Sequence, residues 1–188
     1  LLSSINGEKN TEYLLLEFIY TEDRLNKPEN FWHVWELLYN TITENGLWYN
    51  GRVMGIYMLS DHIALEEGKW HSFNKENTWL FDKLSIDCGR EPIVMFSIAK
   101  SLNGLANDYI EQGIEWFYRI VHNYSAIELR DYQSNTIYYM EKLFSKYIRQ
   151  NRMTIRSNNM KKQKIIDILS FMVERESVQA YMLREYLA

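Results

Sequence analysis

His33 and Glu36 stand three residues apart and His62 and Glu66 four, so each pair would share one helix face and could offer two metal ligands. A stable site normally takes three or four ligands and a supporting shell around them. His71 and His122 add no HExxH motif, and the single Cys88 makes a CxxC pair impossible. Asp61-His62 has the polarity of a nucleophile relay, but no Ser or Cys stands in a GxSxG elbow. Neither GxxxxGK[ST] nor GxGxxG is present, and Asn50-Gly51 and Asn103-Gly104 are too sparse to cradle a phosphate. The expectation is packed or surface histidines, with no catalytic residue, no metal ligand and no cofactor.

The charges are distributed less evenly. From Lys142 to Lys164 the charged residues are Lys142, Lys146, Arg149, Arg152, Arg156, Lys161, Lys162 and Lys164, with no acid among them. The sequence before this tract is acidic on balance, and the whole chain carries a net charge of −4. Lys142, Lys146 and Arg149 share a helix face, and such a patch could neutralise phosphates in a salt-sensitive, sequence-independent way. The competing reading pairs these cations with acids on preceding hairpins or on a partner, or places them at the negative end of a helix dipole. The acidic overall charge favours the second reading.

These residues need a scaffold, and the composition describes one. Of the 188 residues 46% are apolar and 15% aromatic, too many for a disordered chain, and only 2 Pro and 8 Gly interrupt them. One cysteine excludes an internal disulfide framework, and Cys88 reads as a small buried side chain. No stretch approaches the ~18–20 uninterrupted apolar residues of a membrane helix, and no signal peptide opens the chain. The lone Cys leans towards a cytoplasmic setting. The start at Leu1-Leu2-Ser3-Ser4 suggests a piece of a longer protein.

Helical periodicity organises the chain. Phe31, Val34, Trp35, Leu38 and Ile42 form one stripe over Pro28–Asn45, with Pro28 at a first helical position. Glu29-Asn30-Phe31-Trp32 returns as Glu76-Asn77-Thr78-Trp79, and more faintly as Glu115-Trp116. Further helices are expected over Thr11–Tyr20, Gly51–Glu67, Lys75–Cys88, Pro92–Tyr109, Gly113–Asn123, Thr136–Asn151, Met160–Glu174 and Val178–Leu187. Gly89 reads as a terminator, Gly104 as a bend or early end, and Asn135 and Ser177 as N-caps. The tryptophans Trp32, Trp35, Trp79 and Trp116 lie beside aliphatics at helical spacing, so packing explains them better than a base-stacking platform. Pairing the helices makes four hairpins whose second members begin near Pro28, Lys75, Gln112 and Met160. These intervals approach the ~40–47 residues of HEAT-type repeats. The fold class is therefore all-α: antiparallel hairpins stacked as a degenerate HEAT-like solenoid or superhelical bundle, one helical-repeat domain over 1–188.

The run Thr136-Ile137-Tyr138-Tyr139-Met140-Glu141-Lys142-Leu143, with Ile168-Leu169 and Val173 to Glu185, resembles the closing segment of helical-repeat regions in large multidomain bacterial proteins. Some of those carry an NTPase or nuclease module upstream and act in defence against phage. The resemblance implies a scaffold or sensor region whose effector lies outside these residues. The functional expectation is a non-catalytic interaction module that binds another protein or a neighbouring domain. The alternatives are a nucleic-acid-binding helical domain that uses Lys142–Lys164, and a structural or oligomerisation piece marked by an exposed apolar stripe at one end of the stack.

Overall fold

The computed structural model describes residues 75–104, 109–124 and 126–188; the helices expected over Thr11–Tyr20, Pro28–Asn45 and Gly51–Glu67 lie outside the described residues, as do His33, His62 and His71. Among the described residues the chain is all-α, with no strand. Six helices follow one another: α1 (Lys75–Asp87), α2 (Pro92–Gly104), α3 (Ile110–Asn123), α4 (Gln133–Ser157), α5 (Asn159–Val173) and α6 (Val178–Leu187). None is long and apolar enough to cross a membrane.

The buried faces follow the helical period. Phe81, Leu84 and Cys88 close α1, and Ile114, Phe117 and Val121 line α3. Ile137, Met140, Phe144, Tyr147 and Ile148 line α4, and Ile165, Ile168, Leu169 and Met172 line α5. Each fully buried side chain of this kind contributes about 1.5–3 kcal/mol. On α2 the buried row is Val94, Met95, Ile98, Ala99 and Leu102. Phe96, three residues before Ala99 on the helical period, is instead half-buried against the rings of Tyr132 and Tyr139. Trp116 is buried against Phe81, with ring centroids 5.4 Å apart, as the packing reading of the tryptophans requires.

Several boundaries differ in detail from expectation. Gly89 lies in the turn after α1 with φ outside the left-handed region; a Cβ there would stand 2.8 Å from the Ser85 carbonyl oxygen and 2.8 Å from Tyr124 Cε2. Close approach, not backbone handedness, demands the glycine. Gly113, read as the start of a helix, lies inside α3, where a Cβ would meet Leu102 Cδ1 at 2.3 Å. Asn135 is not an N-cap: a 3-10 turn over Arg130–Tyr132 leads directly into α4 at Gln133, which leaves Asn135 in the first helical turn. That helix also continues past Asn151, where the backbone kinks to φ −120° and ψ 16°. The Asn151 side-chain amide donates to the Tyr147 carbonyl oxygen at 3.0 Å, four residues back. Asn158 caps α5 by accepting from the Lys161 N–H, and Ser177 caps α6, as expected, by accepting from the Ala180 N–H at 3.0 Å.

α5 ends in a Schellman turn, in which the Ser177 N–H reaches the Met172 carbonyl and the Glu176 N–H that of Val173. Glu176 holds the left-handed position at φ 67°, where glycine is usual. Arg175 secures the same corner. It donates to the Phe171 and Ile127 carbonyls and lies 3.4 Å over the Phe171 ring.

Neighbours in sequence run antiparallel, whereas alternate helices lie side by side and parallel. α3 and α5 are aligned by Glu111 on Lys161 and Glu115 on Lys164. α4 and α6 are aligned by Glu141 on Ser177, Ser145 on Gln179 and Arg152 on Tyr186. Arg119 bonds Asp82 across α1 and α3 at 2.9 Å, and Asn103 bonds the Tyr139 carbonyl across α2 and α4. The partners are 37 residues apart for α1/α3 and 36 for α2/α4 and α4/α6, but 49 for α3/α5. The described residues thus form two layers, α1–α3–α5 and α2–α4–α6. Phe117 and Phe144 meet between them at 5.9 Å.

Candidate functional site

The eight cations of Lys142–Lys164 are divided by the fold into three environments. Lys161 and Lys164 are neutralised on α3. The Lys161 ammonium lies 2.8 Å from Glu111, and that of Lys164 lies 2.6 Å from both carboxylate oxygens of Glu115. Both stems are largely covered, with 24% and 20% of the side chain exposed. Tyr147 also donates its hydroxyl to Glu111. Burial alone would raise the Glu111 carboxyl, but the hydrogen bonds from Lys161 and Tyr147 outweigh it and hold the group below its ordinary value. Burial first, and then the Glu111 carboxylate, push the Tyr147 phenol up.

Arg152, Arg156 and Lys162 gather at the C-terminal end of α6. The Arg152 guanidinium lies 3.9 Å over the Tyr186 ring, and its Nε is enclosed without a hydrogen-bond acceptor. Arg156 donates to the Tyr186 carbonyl at 3.1 Å and Lys162 to the Ala188 backbone oxygen at 3.3 Å. Cations are favoured there because the last carbonyls carry the negative end of the helix dipole.

Lys142, Lys146 and Arg149 remain together on the outer face of α4. With Tyr138, Ser145 and Gln179 they line an open groove of about 640 Å³ along α4 and α6. Lys142 rests 4.4 Å over the Tyr138 ring. Among the described residues Lys146 and Arg149 are exposed and form no ion pair. Glu141, also on the groove, accepts from the Ser177 hydroxyl at 2.6 Å, and its charge sits at the positive end of the α6 dipole. Gln179 donates to Ser145 at 3.3 Å across the floor.

The α6 contribution was missed in the sequence. Val178, Tyr181, Met182 and Tyr186 are exposed at i, i+3, i+4 and i+8, while Ala180, Leu183 and Leu187 are buried beneath them. This second apolar row, on a helix whose first row is already used, was the available signal. His122 is exposed and stacked on Tyr118, and no group of three or more His, Cys, Asp or Glu among the described residues could hold a metal ion. Compared with known proteins, the chain matches no family model and no curated protein.

Proposed function

We propose that this chain is a non-catalytic helical interaction module that binds another protein or domain through the α4/α6 groove, on a scaffold of the degenerate HEAT-like kind. The scaffold reading is supported by the parallel pairing of alternate helices, at separations of 36–37 residues for three pairs and 49 for α3/α5, since stacked hairpins form extended surfaces of this sort. One observation carries the functional reading: among the described residues Lys146 and Arg149 face solvent without an ion pair, while Lys161 and Lys164 of the same run are matched to Glu111 and Glu115 respectively. Uncompensated charge on a helix surface steers and selects an oppositely charged partner more than it stabilises the fold.

The second reading, nucleic-acid binding, has the same three cations in its favour but must accommodate a net charge of −4. Fluorescence anisotropy with labelled oligoglutamate, single-stranded RNA and duplex DNA, from about 50 to about 200 mM salt, separates the two. The protein-interaction reading expects salt-sensitive binding of the acidic peptide, lost in Lys146→Glu/Arg149→Glu. Tighter binding of either nucleic acid, lost in the same variant, would replace it.

A further inference from the structure

We infer that the groove takes an acidic amphipathic helix of a partner protein, with its carboxylates on α4 and its apolar row on α6. This rests on the groove being the binding surface. The two walls differ in chemistry. α4 supplies Lys142, Lys146 and Arg149, whereas the α6 residue on the groove is Gln179, with Met182 and Tyr186, 59% and 40% exposed, beyond it on the same helix. Gln179, Met182 and Tyr186 are i, i+3 and i+7 on α6, so they share a face. That face adjoins α4, because Gln179 bonds Ser145 and Tyr186 lies under Arg152. A phosphate backbone would leave the exposed Met182 and Tyr186 beside the groove without a complement. A helix with acids along one edge and aliphatics along the other satisfies both walls.

Spacing selects a helix over an extended strand. From Lys142 to Arg149 the α4 axis rises about 10 Å, and the three cations follow at intervals of ~6 and ~4.5 Å. Acids at i, i+4 and i+7 of a docked helix recur at the same intervals. Same-face residues of a strand recur every ~6.8 Å and fall about 3 Å out of step over three contacts.

The test is anisotropy with the 188-residue chain and three labelled probes. One is a peptide of about 18 residues, or ~27 Å as a helix, with Glu and Leu rows at helical period. The second is an isomer of the same composition with that period broken, and the third is duplex DNA. The periodic peptide is expected to bind at least about tenfold tighter than its isomer. Met182→Glu should weaken it about tenfold, and Met160→Glu, at a still more exposed methionine on α5, should leave it unchanged; each factor of ten is about 1.4 kcal/mol. Circular dichroism confirms that the variants keep their helix content. Equal binding of peptide and isomer, indifferent to Met182→Glu, overturns the helix while the basic groove stands. Failure of both acidic peptides to bind, or tighter binding of DNA, overturns the groove reading as well.

Discussion

Lys161 and Lys164 on α5 and Lys146 and Arg149 on α4 belong to one cationic run, yet the first two are neutralised and the second two are not. The difference lies in what the parallel neighbour offers. Beside α5, α3 presents Glu111 and Glu115, one helical turn apart and in register with the lysines. Beside α4, α6 presents Gln179 to Ser145 and Tyr186 to Arg152. The first contact serves the fold. The second leaves exposed charge on the groove, where the proposed partner would meet it, so a run that looks uniform in sequence is divided by the fold.

Charge reversal at the uncompensated pair should show the contrast most strongly. Lys146→Glu/Arg149→Glu is expected to weaken acidic-peptide binding about thirtyfold, near 2 kcal/mol, with an unchanged melting temperature. An equal loss in Lys161→Ala/Lys164→Ala would erase the distinction between the two groups. The next effect is at Ser177, which caps α6 and holds Glu141. Ser177→Ala should cost about 1–2 kcal/mol in denaturant unfolding, and weaken binding because the α6 wall is less firmly placed.

Smaller changes sharpen the paired side. Lys161→Ala/Lys164→Ala should lower stability by under about 1 kcal/mol per pair, since both acids are half exposed, and leave peptide affinity within about twofold. Glu176→Gly relieves a left-handed residue at the end of α5 and should raise stability by about 1 kcal/mol without altering affinity. The smallest effect is on pH dependence. Because the folded Glu111 carboxyl is held below its ordinary value, its contribution is present above the unfolded pKa of about 4.3 and lost as pH falls through the folded one. Glu111→Gln should therefore flatten the acid limb of a stability–pH profile, read by urea midpoints below about pH 4.5.

Much of the scaffold was legible because helix faces are local. The buried residues of α4 and α5 were readable from spacing alone, and so was the Ser177 cap, since a hydroxyl ahead of a free N–H needs only its own turn. Reading failed where a distant contact set the local outcome. Gly113 looks like a boundary but is a close approach to Leu102, and Phe96 leaves the α2 stripe for two tyrosines on the next segment. Asn151 looks like a helix end but is a kink within α4.

The candidate site divides in the same way. Its basic tract stands openly in the sequence, as does the shared face of Lys142, Lys146 and Arg149, because a period of 3.6 residues needs no tertiary knowledge. Compensation of those charges depends on residues tens of positions away: Lys164 meets Glu115 at a separation of 49, and Arg156 meets the Tyr186 carbonyl at 30. Coulomb energy falls with distance in space, not along the chain. Only the packing of α3 against α5 and of α6 against α4 decided which cations were answered within the fold and which were left on the groove.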